Sequence, residues 1–66
     1  MQITLNGKPE ELPDKITVAT LLQQRNLANQ ACAVEVNQQL VPKREHADHT
    51  ISDGDKVEIV TLVGGG

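Results

Sequence analysis

Polar and apolar residues alternate from the second position onward. Ile3 and Leu5 face one way and Gln2, Thr4 and Asn6 the other, which is the period of a half-buried strand. Asn6-Gly7 follows, and because both residues tolerate positive φ this dipeptide predicts a tight hairpin. The return strand falls around Lys8 to Leu12, weakened by Pro9 and ended by Pro13-Asp14. The period then changes. Thr17 precedes Val18, Leu21 and Leu22, a spacing that sets three apolar side chains on one face of a helix from about 18 to 26. The Thr17 hydroxyl is placed to accept from an otherwise unpaired amide of its first turn.

Asn26 and Asn29 mark the helix end and a loop. Beyond them Cys32, Val34 and Val36 alternate with Ala33, Glu35 and Asn37, a third strand. Asn37-Gln38-Gln39 turns into a short apolar piece, Leu40 and Val41, that Pro42 closes. From Lys43 to Thr50 no period is sustained, so a loop or one short helical turn is expected. Ser52-Asp53-Gly54-Asp55 is a tight turn, and Lys56 to Val63 is the longest β-rich run in the chain. The order of elements predicts an α+β domain: one mixed sheet of four to five strands with a single helix packed on one face. The last strand carries the most apolar residues, which places it centrally.

Composition narrows the functions that such a domain can carry. The 66 residues form one domain, expected over 1–63 with a flexible tail at 64–66, and 38% of them are hydrophobic with no Phe, Trp or Tyr. The core must be built from Ile, Val, Leu and Ala, and no aromatic is left to stack a base, a sugar or a flat cofactor. A net charge of -3 without a basic cluster argues against nucleic acid and for partners that present a basic surface. The single cysteine, Cys32, forms no internal disulfide, and the start of the sequence has neither a basic leader nor a long apolar run, so the cytoplasm is expected. No stretch approaches the ~20 apolar residues that span a bilayer. Phosphate loops, dinucleotide turns and Ser/His/Asp sets are absent as well, so no cofactor is expected and any catalysis must be borrowed.

Gly64, Gly65 and Gly66 follow the last strand directly. In a strand interior such a run would be costly in backbone entropy; at a chain end it specifies a thin tail without side chains. At ~3.4 Å per extended residue it reaches on the order of 10 Å beyond the domain. Gly64 and Gly65 suit a narrow channel in a partner enzyme that any Cβ would block, leaving the Gly66 carboxylate as the chemical group. A carboxylate is a poor electrophile and needs activation, most simply as an acyl adenylate that a sulfur nucleophile then displaces.

The run Val34-Glu-Val-Asn37-Gln-Gln-Leu-Val-Pro42, then Asp53-Gly-Asp55-Lys-Val-Glu-Ile-Val60, then Val63-Gly-Gly-Gly66, resembles the ThiS family, the ubiquitin-like sulfur carriers of thiamine thiazole biosynthesis. The resemblance covers nearly the whole chain and implies a β-grasp fold. It also implies a protein that is not itself an enzyme. An E1-like adenylyltransferase of the ThiF type would activate Gly66, and a cysteine desulfurase or other persulfide donor would supply sulfur. A thiazole synthase of the ThiG type would take that sulfur from the resulting thiocarboxylate. Carriers for molybdopterin or another sulfur pathway, and ubiquitin-like modifiers of lysine, share the fold and tail. Family members often carry Val-Pro-Arg and then an aromatic, where this chain has Pro42-Lys43-Arg44 with His46 near the aromatic's place.

The remaining candidates are weaker. Along the last strand Val60 and Leu62 interrupt the polar face that holds Lys56 and Glu58, which makes them the expected partner-docking residues beside the tail. His46 and His49 lack a third firm ligand and are expected on a solvated loop, with no metal. Cys32 fits a small buried hydrophobe, and Lys43-Arg44-Glu45 a wet surface.

Overall fold

The structure, a computed structural model, describes residues 1–62. Its elements are β1 (Gln2–Leu5), β2 (Lys8–Glu11), α1 (Val18–Gln24), β3 (Cys32–Val36), β4 (Gln39–Val41), a 3₁₀ turn (Lys43–Glu45) and β5 (Lys56–Thr61). The strands form one sheet in the order β2-β1-β5-β3-β4. β5 is therefore central, as its apolar content predicts, running parallel to β1 and antiparallel to β3. No described helix is long and apolar enough to cross a membrane.

Two hairpins frame the sheet, and both turn on left-handed residues. Asn6 and Gly7, with φ of 51° and 82°, join β1 to β2; Asn37 and Gln38, with φ of 54° and 70°, join β3 to β4. Positive φ at both central residues is the two-residue geometry whose twist matches that of paired strands. Asn26 also has positive φ, at 61°, and ends α1 two residues earlier than the spacing of apolar positions predicts. At the other end Thr17 caps the helix as expected, its hydroxyl accepting from the Thr20 amide at 3.2 Å.

Val18, Leu21 and Leu22 of α1 bury themselves against Ile3, Val34, Val36, Val41, Val57 and Ile59 from the sheet, with Leu12, Ile16 and Ile51 closing the sides. The core is wholly aliphatic, and the helix occupies one face of the sheet only. Two strand ends are shorter than the sequence predicts: β2 stops at Glu11 and β5 at Thr61. The Leu62 amide still donates to the Ala31 carbonyl at 2.8 Å, whereas Val63 and the three glycines lie outside the described residues.

Where β1 turns away, its pairing with β5 is continued by a side chain. The Asn6 carboxamide accepts from the Ile59 amide at 2.8 Å and donates to the Ile59 carbonyl at 3.3 Å, in the manner of a strand backbone. On the other flank Asn37 accepts from the Lys56 amide at 3.0 Å and donates to Asp55 Oδ1 at 3.0 Å. The start of β5 is fixed by the Ser52-Asp53-Gly54-Asp55 turn, in which the Asp55 amide donates to the Ser52 carbonyl at 3.0 Å and Asp55 Oδ2 accepts from the Ser52 amide at 2.8 Å.

Replacing Asn6 by glycine keeps the left-handed backbone and removes only the carboxamide. Asn6→Gly should cost about 1–3 kcal/mol in urea denaturation and speed hydrogen exchange at the Ile59 amide, since that part-buried donor loses its partner. Gln38→Gly should act in the opposite direction. Relief of left-handed strain, less the entropy glycine adds to the unfolded chain, should raise stability by about 0.5–1 kcal/mol by the same measurement.

Candidate functional site

β5 is the element that leads to the glycine tail, so its outer side chains and its last residues define the region a partner would meet. Strand alternation sends Val57 and Ile59 inward, where they are buried, and Glu58 and Val60 outward. Val60 is 58% and Leu62 62% exposed, which excludes a core role for either predicted docking residue. Gly64, Gly65 and Gly66 fall outside the described residues.

The two predicted docking residues have different surroundings. Val60 lies on the sheet face that the helix leaves open, opposite Ala33 of β3. Leu62, one residue past the strand, borders a hollow of about 190 Å³ with Leu22, Leu27, Cys32, Lys43 and His46. A third exposed apolar side chain, Leu40 at 63%, joins the open face from β4 because the hairpin register sets it opposite Glu35. In sequence Leu40 reads only as part of a short apolar piece. Its direction becomes legible once Asn37-Gln38 is recognised as a two-residue turn, since the register then fixes which face each residue takes.

Sequence alone places both histidines on a wetted loop, and the structure corrects this for His46. Its side chain is buried, and Nε2 lies 2.9 Å from the Val41 carbonyl, so Nε2 carries the proton and donates. The His46 carbonyl in turn accepts from the Ala19 amide at 2.9 Å, tying the 3₁₀ turn to α1. Sequence patterning misses this because the contact is set by a 3₁₀ turn with no periodic apolar neighbour. His49 lies apart from it, beside Glu45 and Asp48. Among the described residues no three His, Cys, Asp or Glu side chains gather in a way that could hold a metal. Cys32 packs against the core as its strand position predicts, but it is half-buried rather than buried.

The comparison with known proteins agrees with this geometry. The ThiS family model matches residues 3–66. The chain belongs to the ThiS family. It is 33% identical over 66 residues to the sulfur carrier protein ThiS of Escherichia coli, covering all of both chains. It is 38% identical over 66 residues to part of a thiazole synthase of Paramagnetospirillum magneticum; there the whole chain spans only 20% of its relative's length. Among solved structures, the crystal structure of the thiamine biosynthesis protein ThiS from Geobacter metallireducens matches with a TM-score of 0.85 at 32% identity, covering all of both chains. The strand order and single helix are thus the β-grasp fold of this ThiS-family chain.

The two histidines should separate in mutagenesis. His46→Ala removes a buried hydrogen bond and its packing and should cost about 1–3 kcal/mol, whereas His49→Ala should stay within about 0.5 kcal/mol of the parent. Chemical denaturation of both variants checks this.

Proposed function

We propose that this chain is a cytoplasmic sulfur carrier of thiamine thiazole biosynthesis, with the Gly66 carboxylate as its working group. The observation that carries the reading is the family match, which runs through residue 66 and includes full-length sulfur carriers among the relatives. The thiazole synthase relative, which contains a region like this chain, supports an enzyme of that type as the sulfur acceptor.

The chemistry follows from the weakness of a carboxylate as an electrophile. An oxygen of Gly66 attacks the α-phosphorus of ATP in an adenylyltransferase of the ThiF type, and pyrophosphate leaves. The terminal sulfur of a persulfide, made by a cysteine desulfurase or another donor, then attacks the acyl carbon and expels AMP. A thiol cleaves the resulting S–S bond by exchange, leaving a thiocarboxylate on Gly66 and a disulfide on the reductant and donor. The chain contributes no catalytic group to these steps. Its own part is positional: the folded domain docks through Val60 and Leu62, while Gly64 and Gly65 pass through a channel too narrow for side chains.

The direct test incubates the protein with a ThiF-type enzyme, ATP, a persulfide donor and a thiol, then weighs it intact. A mass gain equal to exchanging one oxygen for sulfur, localised to Gly66, is the expected result. An unchanged terminus under conditions that load a known carrier would sink the reading, and attachment to a lysine would make the chain a modifier. Deleting Gly66 retracts the carboxylate by ~3.4 Å and should slow adenylation by about a hundredfold without shifting the melting temperature. Gly65→Ala should behave in the same way.

A further inference from the structure

The sheet has one face under the helix and one face open, and the open face is unusual in its charges as well as its exposed apolar groups. Register places Leu40, Glu35 and Glu58 in one row across β4, β3 and β5, with Ala33 and Val60 paired in the next row toward the tail. Glu35 and Glu58 are direct cross-strand partners, both exposed. Directly opposed like charges destabilise a sheet, by roughly 0.2–1 kcal/mol on the scale of such pairs. Neither carboxylate forms an ion pair among the described residues: the ion pairs found there involve Glu10, Glu11, Asp14 and Glu45 instead. Lys56, two residues before Glu58 on the same face, makes an ion pair with neither carboxylate.

Two adjacent carboxylates outside any ion pair, bordered by exposed Leu40 of β4 and by exposed Val60 of β5, form a complementary surface for a cation set among apolar side chains. A planar guanidinium, with five donors and weak hydration, satisfies two carboxylates at that spacing better than an ammonium does. We propose that the open face docks the activating enzyme through an arginine that bridges Glu35 and Glu58, with Ala33, Val60 and Leu40 packed against apolar side chains around it. This rests on the carrier reading for the identity of the partner. The repulsion tolerated in the free domain is then relieved in the complex, and charge rather than area sets the preference for one partner surface.

The test measures binding and chemistry separately. The probe is the ThiF-type adenylyltransferase of the same organism, titrated calorimetrically with the wild-type chain, with Glu35→Gln/Glu58→Gln and with Lys56→Gln; pyrophosphate release is followed in parallel. The glutamine pair should raise Kd at least roughly tenfold and flatten its salt dependence. Its urea midpoint should equal or exceed that of the parent, because the mutation removes a repulsion. Lys56→Gln should bind as tightly as the parent or tighter. Unchanged Kd and salt dependence in the glutamine pair, with adenylation intact, overturns the docking proposal and leaves the carrier reading standing. A wild-type chain that binds without being adenylated, or that does not bind at all, overturns the carrier reading and this proposal with it.

Discussion

Everything in this small domain depends on the backbone pairing of β5 on both of its sides. Among the described residues it is the only strand that joins the two hairpins, parallel to β1 and antiparallel to β3, so without it they do not form a single sheet. The parallel side is short, with two residue pairs, Thr4 with Lys56 and Leu5 with Val57. That brevity explains the part played by Asn6. Its carboxamide adds two hydrogen bonds at Ile59 after the backbone of β1 has turned away, extending the seam without extending the strand. Asn37 adds one such bond at the start of β5 from the opposite flank, accepting from the Lys56 amide while its NH2 holds the Asp55 carboxylate. Each asparagine thus meets two requirements at once, a left-handed turn and an amide group that mimics a strand.

A chain of this length hides only ~60% of its unfolded surface, so a core without aromatics has little apolar area to spare. The structure offsets this by enclosing its irregular segments. Ile16 and Ile51, from loops on either side of α1, are joined by a backbone hydrogen bond of 2.9 Å from the Ile51 amide to the Ile16 carbonyl, and both are buried. His46 fastens the 3₁₀ turn to β4 through Val41 and to α1 through Ala19. An ion pair of 2.6 Å between Arg25 and Glu10 links the helix end to β2, although partial exposure of both side chains limits its worth to about 1 kcal/mol or less.

Local rules made much of this legible. Period, turn chemistry and capping place α1 behind Thr17, put Asn6-Gly7 and Asp53-Gly54 in turns, and assign Val57 and Ile59 to the core and Val60 to the surface. What escaped them was set by distance along the chain. The Asn6 carboxamide meets a residue 53 positions away, and no window around Asn6 contains Ile59. His46 is held by neighbours from β4 and α1, while its own segment is polar apart from Ala47, so composition misleads there. The open face escaped in the same way: Glu35, Glu58 and Leu40 are unremarkable singly, and only the register of three strands sets them in one row.

Because the side-chain period of a strand is two, the same register that buries Val57 and Ile59 also displays Glu58 and Val60. Stability and recognition are therefore not separately adjustable on β5. A slip of one residue would empty the core of its central side chains and turn the outer face inward in the same step. The groups that fix register, the carboxamides of Asn6 and Asn37 and the tight turn at Asp53-Gly54, bond within the domain, yet they decide which side chains the outer face displays. A fold so small can then hold an outer face that is poor for its own stability, with opposed carboxylates and bare aliphatic groups, because the inner face and the two clamps fix the register independently of it. The last described residue inherits its place from the same source: wherever β5 is pinned, residue 62 follows.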